Sequence, residues 1–418
     1  MNTSPRPSAG RAALWIFAAA LGLRLGFALT TPVASLGLGD QIEYTATAHN
    51  LLDGHGFAMT PGVPTPARAP GYPVFMAGLF AATERSPRAV LVAQAVLSAA
   101  TCLLLLWLLR ETVENEEAAR VGAWLLAGYP VLIYYSGRLL SETLFTFLVA
   151  AAMLLLARHL RRGRPLEAAL AGLVLGAAAL VRPGIVLAPW LILLLMLPYG
   201  RRKALAWLGF AAAFYLALTP WTSRNQELFG VRKLAARGPG FGISATGRMT
   251  LGLSYDEAIK HYYELAALPE YQETNFVKGR SPLADLDDRL IREGKALILA
   301  RPFAYLKILA QRLPRFWITS HSSVFGVDRP LGEYRREGRW GPIAARGLLT
   351  LLQLAILAAA ARGLWLIRTR WREAALLAAM PLYMTIHIAF DMIPRYHVPA
   401  MPYLLGLAAL ALVERKRI

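Results

Sequence analysis

About ten long apolar stretches run through this chain, and they decide what it can fold into. A helix needs roughly 20 apolar residues to cross a bilayer. Candidate spans lie near 12–31, 88–109, 119–136, 142–158, 166–181, 184–199, 204–221, 346–367, 373–390 and 397–413. Charged residues make up 17% of the chain, against about 25% in soluble domains, and the mean hydropathy is +0.42. The expected fold is an all-α polytopic membrane protein with about ten transmembrane helices. Residues 12–31 resemble a signal peptide, but Arg24 interrupts the run and further spans follow, so a retained first helix is expected.

The formal charge of +19, from 45 Lys and Arg against 26 Asp and Glu, would suggest nucleic acid in a soluble protein. Here much of the basic charge flanks apolar spans, as orientation signals do, and no nucleic-acid partner is expected. Clusters occur at Arg158, Arg161, Arg162 and Arg164, at Arg201, Arg202 and Lys203, at Arg368, Arg370 and Arg372, and at Arg415, Lys416 and Arg417. Ten spans put all four on one side together with Arg6 and Arg11, and that side is expected to be cytoplasmic. The connection 110–120, with Glu111, Glu114, Glu116 and Glu117, is the acidic exception. Cys102, the single cysteine, lies in an apolar run, so no disulfide framework or cysteine-based metal cluster is available.

Three regions follow: an N-terminal transmembrane module 1–221 with an outer loop at 32–87, an outward-facing segment 222–345, and C-terminal spans 346–418. Amphipathic stretches at 41–53, 72–83, 285–299 and 303–317 suit helices lying at the membrane interface. No internal repeat is visible.

The polar residues that interrupt this pattern are the candidate site. Asp40 and Glu43 stand at i and i+3 beside the first span and share one face if helical. Asp40 suits a general base or metal ligand, or equally a helix N-cap. Arg68 precedes Ala69-Pro70-Gly71-Tyr72-Pro73, a turn able to fix a guanidinium, whose planar fork suits phosphate; an ordinary interfacial Arg is the plainer reading. Glu142 starts a span and either pairs with Arg138 or joins the site. Arg224 follows the belt residue Trp221. Arg395, Tyr396 and His397 lie between the last two spans, where Arg395 and Tyr396 suit phosphate and His397 is a proton carrier or a structural residue. Arg24 and Arg182 lie at span edges and each needs an interior partner. No phosphate loop, dinucleotide fingerprint, HExxH pair or Gly-x-Ser-x-Gly elbow is present.

Asp40-Gln41-Ile42-Glu43-Tyr44, Ala48-His49-Asn50-Leu51-Leu52, Gly54-His55-Gly56-Phe57 and Pro64-Thr65-Pro66-Ala67-Arg68-Ala69-Pro70-Gly71-Tyr72-Pro73 together resemble the first outer loop of bacterial GT-C glycosyltransferases. The nearest kind is the protein-mannosyltransferase-like family 39, which includes aminoarabinose transferases. Ser141-Glu142-Thr143-Leu144-Phe145, Leu180-Val181-Arg182-Pro183, Pro220-Trp221 with Arg224-Asn225, and Arg395-Tyr396-His397-Val398-Pro399 extend the resemblance in family order. It implies a GT-C bundle with interfacial helices in the first outer loop, and a polyprenyl-phosphate-linked sugar as donor. It also implies Asp40 as catalytic aspartate, accompanied by Glu43, and Arg68 and Arg395 with Tyr396 at the donor phosphate. Tyr44, Tyr72, Glu142, Arg224 and His397 are further substrate-binding candidates. Gln41 stands where relatives often carry an acid, so no metal is assigned, although a divalent ion is compatible with the family. The chain stops soon after its last span, which favours a glycan, lipid or small acceptor over a bulky protein. The implied location is the bacterial cytoplasmic membrane, with the site facing the periplasm.

The chemistry expected is inverting transfer to a hydroxyl, with Asp40 as base and arginines stabilising the leaving phosphate. A secondary transporter or lipid flippase, or a scaffold without chemistry, are the competing readings. A transferase requires Asp40, Arg68 and Arg395 to meet in one place.

Overall fold

The computed structural model describes residues 9–36, 39–272, 274, 277–319, 321–390 and 393–414. Arg6, Asp391, Met392, Arg415, Lys416 and Arg417 lie outside the described residues. Among the described residues the regular structure is helical apart from one short hairpin and an isolated bridge between Val277 and Arg280. In hydrocarbon a segment must bond its own backbone, which a helix does.

The chain begins with α1 (Ala9–Thr30), then α2 (Asp40–Leu52), the antiparallel pair β1 (Ala58–Thr60) and β2 (Val63–Pro64), and α3 (Gly71–Ala82). Next come α4 (Pro87–Thr112), α5 (Glu116–Ala127), α6 (Pro130–Ser136), α7 (Glu142–Arg162), α8 (Pro165–Val181), α9 (Ala188–Met196) and α10 (Arg201–Phe229). A polar segment holds α11 (Gly240–Met249), α12 (Tyr255–Ala266), α13 (Pro282–Ala300), α14 (Pro302–Trp317) and α15 (Leu331–Arg336). The chain closes with α16 (Trp340–Leu366), α17 (Trp371–Thr385) and α18 (Met401–Glu414).

Among the described residues, six helices are long and apolar enough to cross a membrane, those at 10–30, 87–112, 142–162, 201–229, 340–366 and 395–414. The other four expected spans are shorter or broken. Pro130 starts α6 and drives Tyr129 into an extended conformation, splitting 119–136 in two. Pro183 does the same to Arg182, which ends α8. Pro220 has no such effect: α10 runs through it to Phe229, so the expected boundary at 221 falls inside a helix.

α18 lies at the centre of the bundle: 89% of the apolar stretch within 395–414, which it ends, is buried, against 17% for α16 beside it. The two helices touch backbone to backbone. A Cβ on Gly363 would lie 1.8 Å from the Leu407 carbonyl oxygen, the kind of close crossing that small residues permit. Arg24, fully buried, donates to Ser98 Oγ at 2.6 Å and to the carbonyls of Ala127 and Leu126 at 2.9 and 3.2 Å. It therefore completes the C-terminal end of α5, whose last carbonyls lack helical partners.

Contacts gather three of the expected basic clusters at one end of the bundle. Glu111 meets Arg158 and Arg161 at 3.5 Å each and also bonds Arg162. Arg370 donates to the carbonyls of Thr112 and Val113 at 2.9 Å, and Arg372 lies 5.5 Å from the Tyr199 ring. The amphipathic stretches form helices at the other end, as α2, α3, α13 and α14. The polar segment has a small core of its own, formed by Leu265, Tyr271, Leu286 and Leu290.

Candidate functional site

Asp40 and Glu43 occupy the first turn of α2, where the helix dipole favours negative charge. The loop after α2 is pinned to it. Asn50 Nδ2 donates to the carbonyls of Ala58 and Met59 at 2.8 and 3.1 Å. The hairpin then delivers Arg68 back over the face that carries both acids. Gly71 lets α3 start against the end of α8, since a Cβ there would lie 2.9 Å from the Leu180 carbonyl. That contact sets the Arg68 loop next to Arg182.

The result is an unbroken alternating chain of charges. Arg237 Nη1 meets Glu43 Oε1 at 2.5 Å. Glu43 Oε2 meets Arg68 Nε at 2.7 Å, and Arg68 Nη2 meets Asp40 Oδ1 at 2.7 Å. Asp40 Oδ2 meets Arg395 Nη2 at 2.6 Å. Arg395 Nε lies 3.6 Å from Glu142 Oε1, and Arg182 Nη1 lies 2.7 Å from the same oxygen. Four guanidinium groups thus face three carboxylates, one positive charge in excess. Exposure varies along the chain: the Arg237 side chain is the most open at 33%, and that of Glu142 is only 1% exposed. The open end is the Arg237 end.

Burial alone would raise the pKa of Asp40, but Arg68, Arg395 and Arg182 outweigh it and hold the carboxyl below its ordinary range. Glu43 behaves likewise: burial opposes, while Arg68 and Arg237 prevail. Tyr44 moves the other way, pushed up chiefly by burial. Its ring meets Tyr72 edge-on at 5.0 Å and lies 5.7 Å from the Arg68 guanidinium. The Tyr72 hydroxyl donates to Gln94 at 2.9 Å. Tyr396 lies 5.2 Å from the Arg182 guanidinium. Gln41 accepts from the Leu139 amide at 3.1 Å and so ties α2 to the turn before α7.

The fold therefore brings Asp40, Glu43, Arg68, Glu142 and Arg395 into one network, with Tyr44, Tyr72 and Tyr396 around it. Glu142 pairs with Arg182. Two candidates are engaged elsewhere. Arg224 is caged by Trp221, Phe229 and Phe57 at 4.5, 5.3 and 5.6 Å. It donates to the carbonyls of Thr65 and Phe57 at 3.3 Å each, clamping the hairpin to α10. His397 is fully buried, with Nδ1 2.7 Å from the Phe316 carbonyl and Nε2 2.8 Å from His321 Nε2. Neither contacts the acid–arginine chain through these bonds.

Arg237 escapes a reading by composition, because it sits in a long polar segment rich in arginine. A local signal was present. Ala67-Arg68-Ala69-Pro70-Gly71 and Ala236-Arg237-Gly238-Pro239-Gly240 share one pattern, and each opens a helix. Among the described residues no group of three or more His, Cys, Asp or Glu side chains could hold a metal. The oxygens of Asp40 and Glu43 face guanidinium groups, a donor set that does not fit a divalent cation.

The fold defines a multi-pass helical membrane protein with an acid–arginine chain at one end of its bundle. Residues 67–223 match the family model for dolichyl-phosphate-mannose-protein mannosyltransferase, a family of the GT-C glycosyltransferase superfamily. The resemblance carried by the motifs is thereby borne out, over a stretch that contains Arg68, Glu142 and Arg182. No curated protein matches the chain.

Proposed function

We propose that the protein is a membrane glycosyltransferase that moves a sugar from a polyprenyl-phosphate donor to a hydroxyl on a glycan, lipid or small acceptor. The site faces the outer side of a bacterial cytoplasmic membrane. The observation that carries this reading is Asp40 held between Arg68 and Arg395, two arginines more than 300 residues apart in sequence, in a chain whose family model names a lipid-phosphate sugar donor.

Polyprenyl phosphate leaves readily once its charge is stabilised, and fixed guanidinium groups do that without proton transfer. The acceptor hydroxyl is a poor nucleophile and needs a base. In the transfer the acceptor oxygen bonds to the sugar C1 as the bond from C1 to phosphate oxygen breaks. The hydroxyl proton passes to Asp40, and the lipid phosphate departs with its negative charge against Arg68 and Arg395. One base and one face of attack give inversion. A positioned base of this kind contributes about 10²–10⁴-fold.

Both Asp40 oxygens are engaged by the arginines assigned to the phosphate. A carboxylate so held is a weak base. Donor phosphate that takes over Arg68 and Arg395 frees Asp40 and raises its basicity, so base strength follows donor binding. Tyr44, Tyr72 and Tyr396 offer ring faces to the sugar.

The test is purified protein in lipid, supplied with a panel of polyprenyl-phosphate sugars, with released lipid phosphate read by mass spectrometry. Turnover that disappears in Asp40→Asn, with expression and lipid binding retained, is the expected result. Near-normal turnover in that variant removes Asp40 as base. Flux of an unaltered sugar into sealed vesicles, with no covalent product, removes the transferase reading.

A further inference from the structure

The two Ala-Arg-x-Pro-Gly turns lie side by side. The Ala236 amide donates to the Pro66 carbonyl at 2.7 Å and the Arg237 amide to the Ala67 carbonyl at 3.4 Å. Both guanidinium groups then close on one carboxylate, that of Glu43, one on each oxygen. A carboxylate gripped through both oxygens by two arginines has the geometry of a bound oxyanion. It sits at the open end of the charge chain. The Arg237 turn is held from behind, where Asp287 on α13 accepts from the Gly240 amide at 2.8 Å. Lys233 bonds Asp288 at 2.6 Å and lies 3.4 Å from Asp287. The Glu43 carboxylate can thus leave the two guanidinium groups without disturbing a backbone bond.

We propose that Arg68 and Arg237 form a two-armed clamp for a phosphate group, and that Glu43 is a resident anion occupying it until the ligand arrives. The proposal deepens the transferase reading and rests on it for the choice of a lipid phosphate. It gives Glu43 a role other than proton transfer, and it makes the polar segment after α10 supply a binding residue. Glu43 competes with the ligand, so its removal strengthens binding, whereas loss of a catalytic acid or base leaves binding alone and stops turnover.

The experiment uses the full chain in lipid nanodiscs. Binding of polyprenyl monophosphate is measured for the native protein, Glu43→Gln, Arg237→Gln and Arg237→Lys, with inorganic phosphate as a second probe. Glu43→Gln is expected to tighten lipid-phosphate binding several-fold. Arg237→Gln is expected to weaken it about 10- to 100-fold, the range for losing one hydrogen bond to a charged group, and Arg237→Lys to recover part of the loss. The same ordering with both probes assigns the clamp to phosphate in general, and the ordering with the lipid alone assigns it to the headgroup. Unchanged or weaker binding in Glu43→Gln overturns the proposal, even if Arg237→Gln fails to fold. Unchanged binding in a folded Arg237→Gln overturns it equally. If Asp40→Asn stops transfer while Glu43→Gln leaves binding unaltered, the clamp fails and the transferase reading stands. If the clamp variants behave as expected but no sugar is ever transferred, the reverse holds.

Discussion

The two ends of the bundle both carry arginines beside glutamates, yet they differ in what the arginines hold. At one end Arg370 donates to the carbonyls of Thr112 and Val113, and Lys203 bonds the Leu160 carbonyl. These cations close the C-terminal ends of α4 and α7 and cannot leave without exposing backbone. At the other end, among the described residues, Arg68 and Arg395 give their hydrogen bonds to carboxylate oxygens alone. A carboxylate can be exchanged for a phosphate, and a helix carbonyl cannot. Arg370 is therefore tied to backbone, whereas on the proposed reading Arg68 and Arg395 are available to a ligand.

The sharpest way to break this comparison is to remove one acid from each end. Asp40→Asn should lower turnover by at least about 10²-fold, the lower bound for a positioned base. Glu111→Gln, at the opposite end, should leave turnover within a few-fold while lowering thermal stability. Equal losses of turnover would mean that the two networks do the same job. Next in size, Arg68→Ala and Arg395→Ala should each weaken donor binding by about 10- to 100-fold. Arg370→Ala should instead lower the melting temperature and leave donor affinity alone.

Acidity offers a third comparison, between free and donor-bound protein. The carboxyl groups of Asp40 and Glu43 are held below their ordinary range by neighbouring arginines. A depressed folded-state value contributes stability above the unfolded value, about 4, and loses it as pH falls through the folded value. Stability from this network should therefore be flat from neutral pH to about 4 and decline below that, less steeply in Asp40→Asn. Free-protein ionisation governs kcat/KM and bound-complex ionisation governs kcat. If donor phosphate draws the arginines away, the acid limb of kcat lies at higher pH than that of kcat/KM. Coincident limbs would show that Asp40 keeps its arginines during the reaction.

What the sequence made legible follows the same division. The apolar runs gave the helices, and amphipathic period gave α2, α3, α13 and α14. Asp40, Glu43, Arg68 and Arg395 stood out because charge beside a span has few uses. Side-chain direction was not legible. Arg224 and His397 carry the same chemical signal as Arg395, but Arg224 folds into an aromatic cage and His397 into a buried pair with His321. Which way a polar group turns depends on partners far away in sequence. Pro130 lies inside the expected span 119–136, so its break was not legible, nor was the consequence of Pro183: the extended residue before it is what aims Arg182 at Glu142.

The smallest expected effect lies within α2 itself, whose two ends each carry an aspartate paired with arginine. Asp53, at the C-terminal cap, bonds Arg85, with side chains 38% and 45% exposed. Solvent screens such a pair, and surface pairs commonly add nothing measurable. Asp40 is 19% exposed and bonds two arginines. Asp53→Asn should therefore leave transfer, donor affinity and melting temperature within experimental error, while Asp40→Asn changes the first of these most of all. A clear loss of activity in Asp53→Asn would mean that the C-terminal end of α2, and not only its first turn, belongs to the site. It would also mean that the acid–arginine chain extends beyond the seven residues seen to form it.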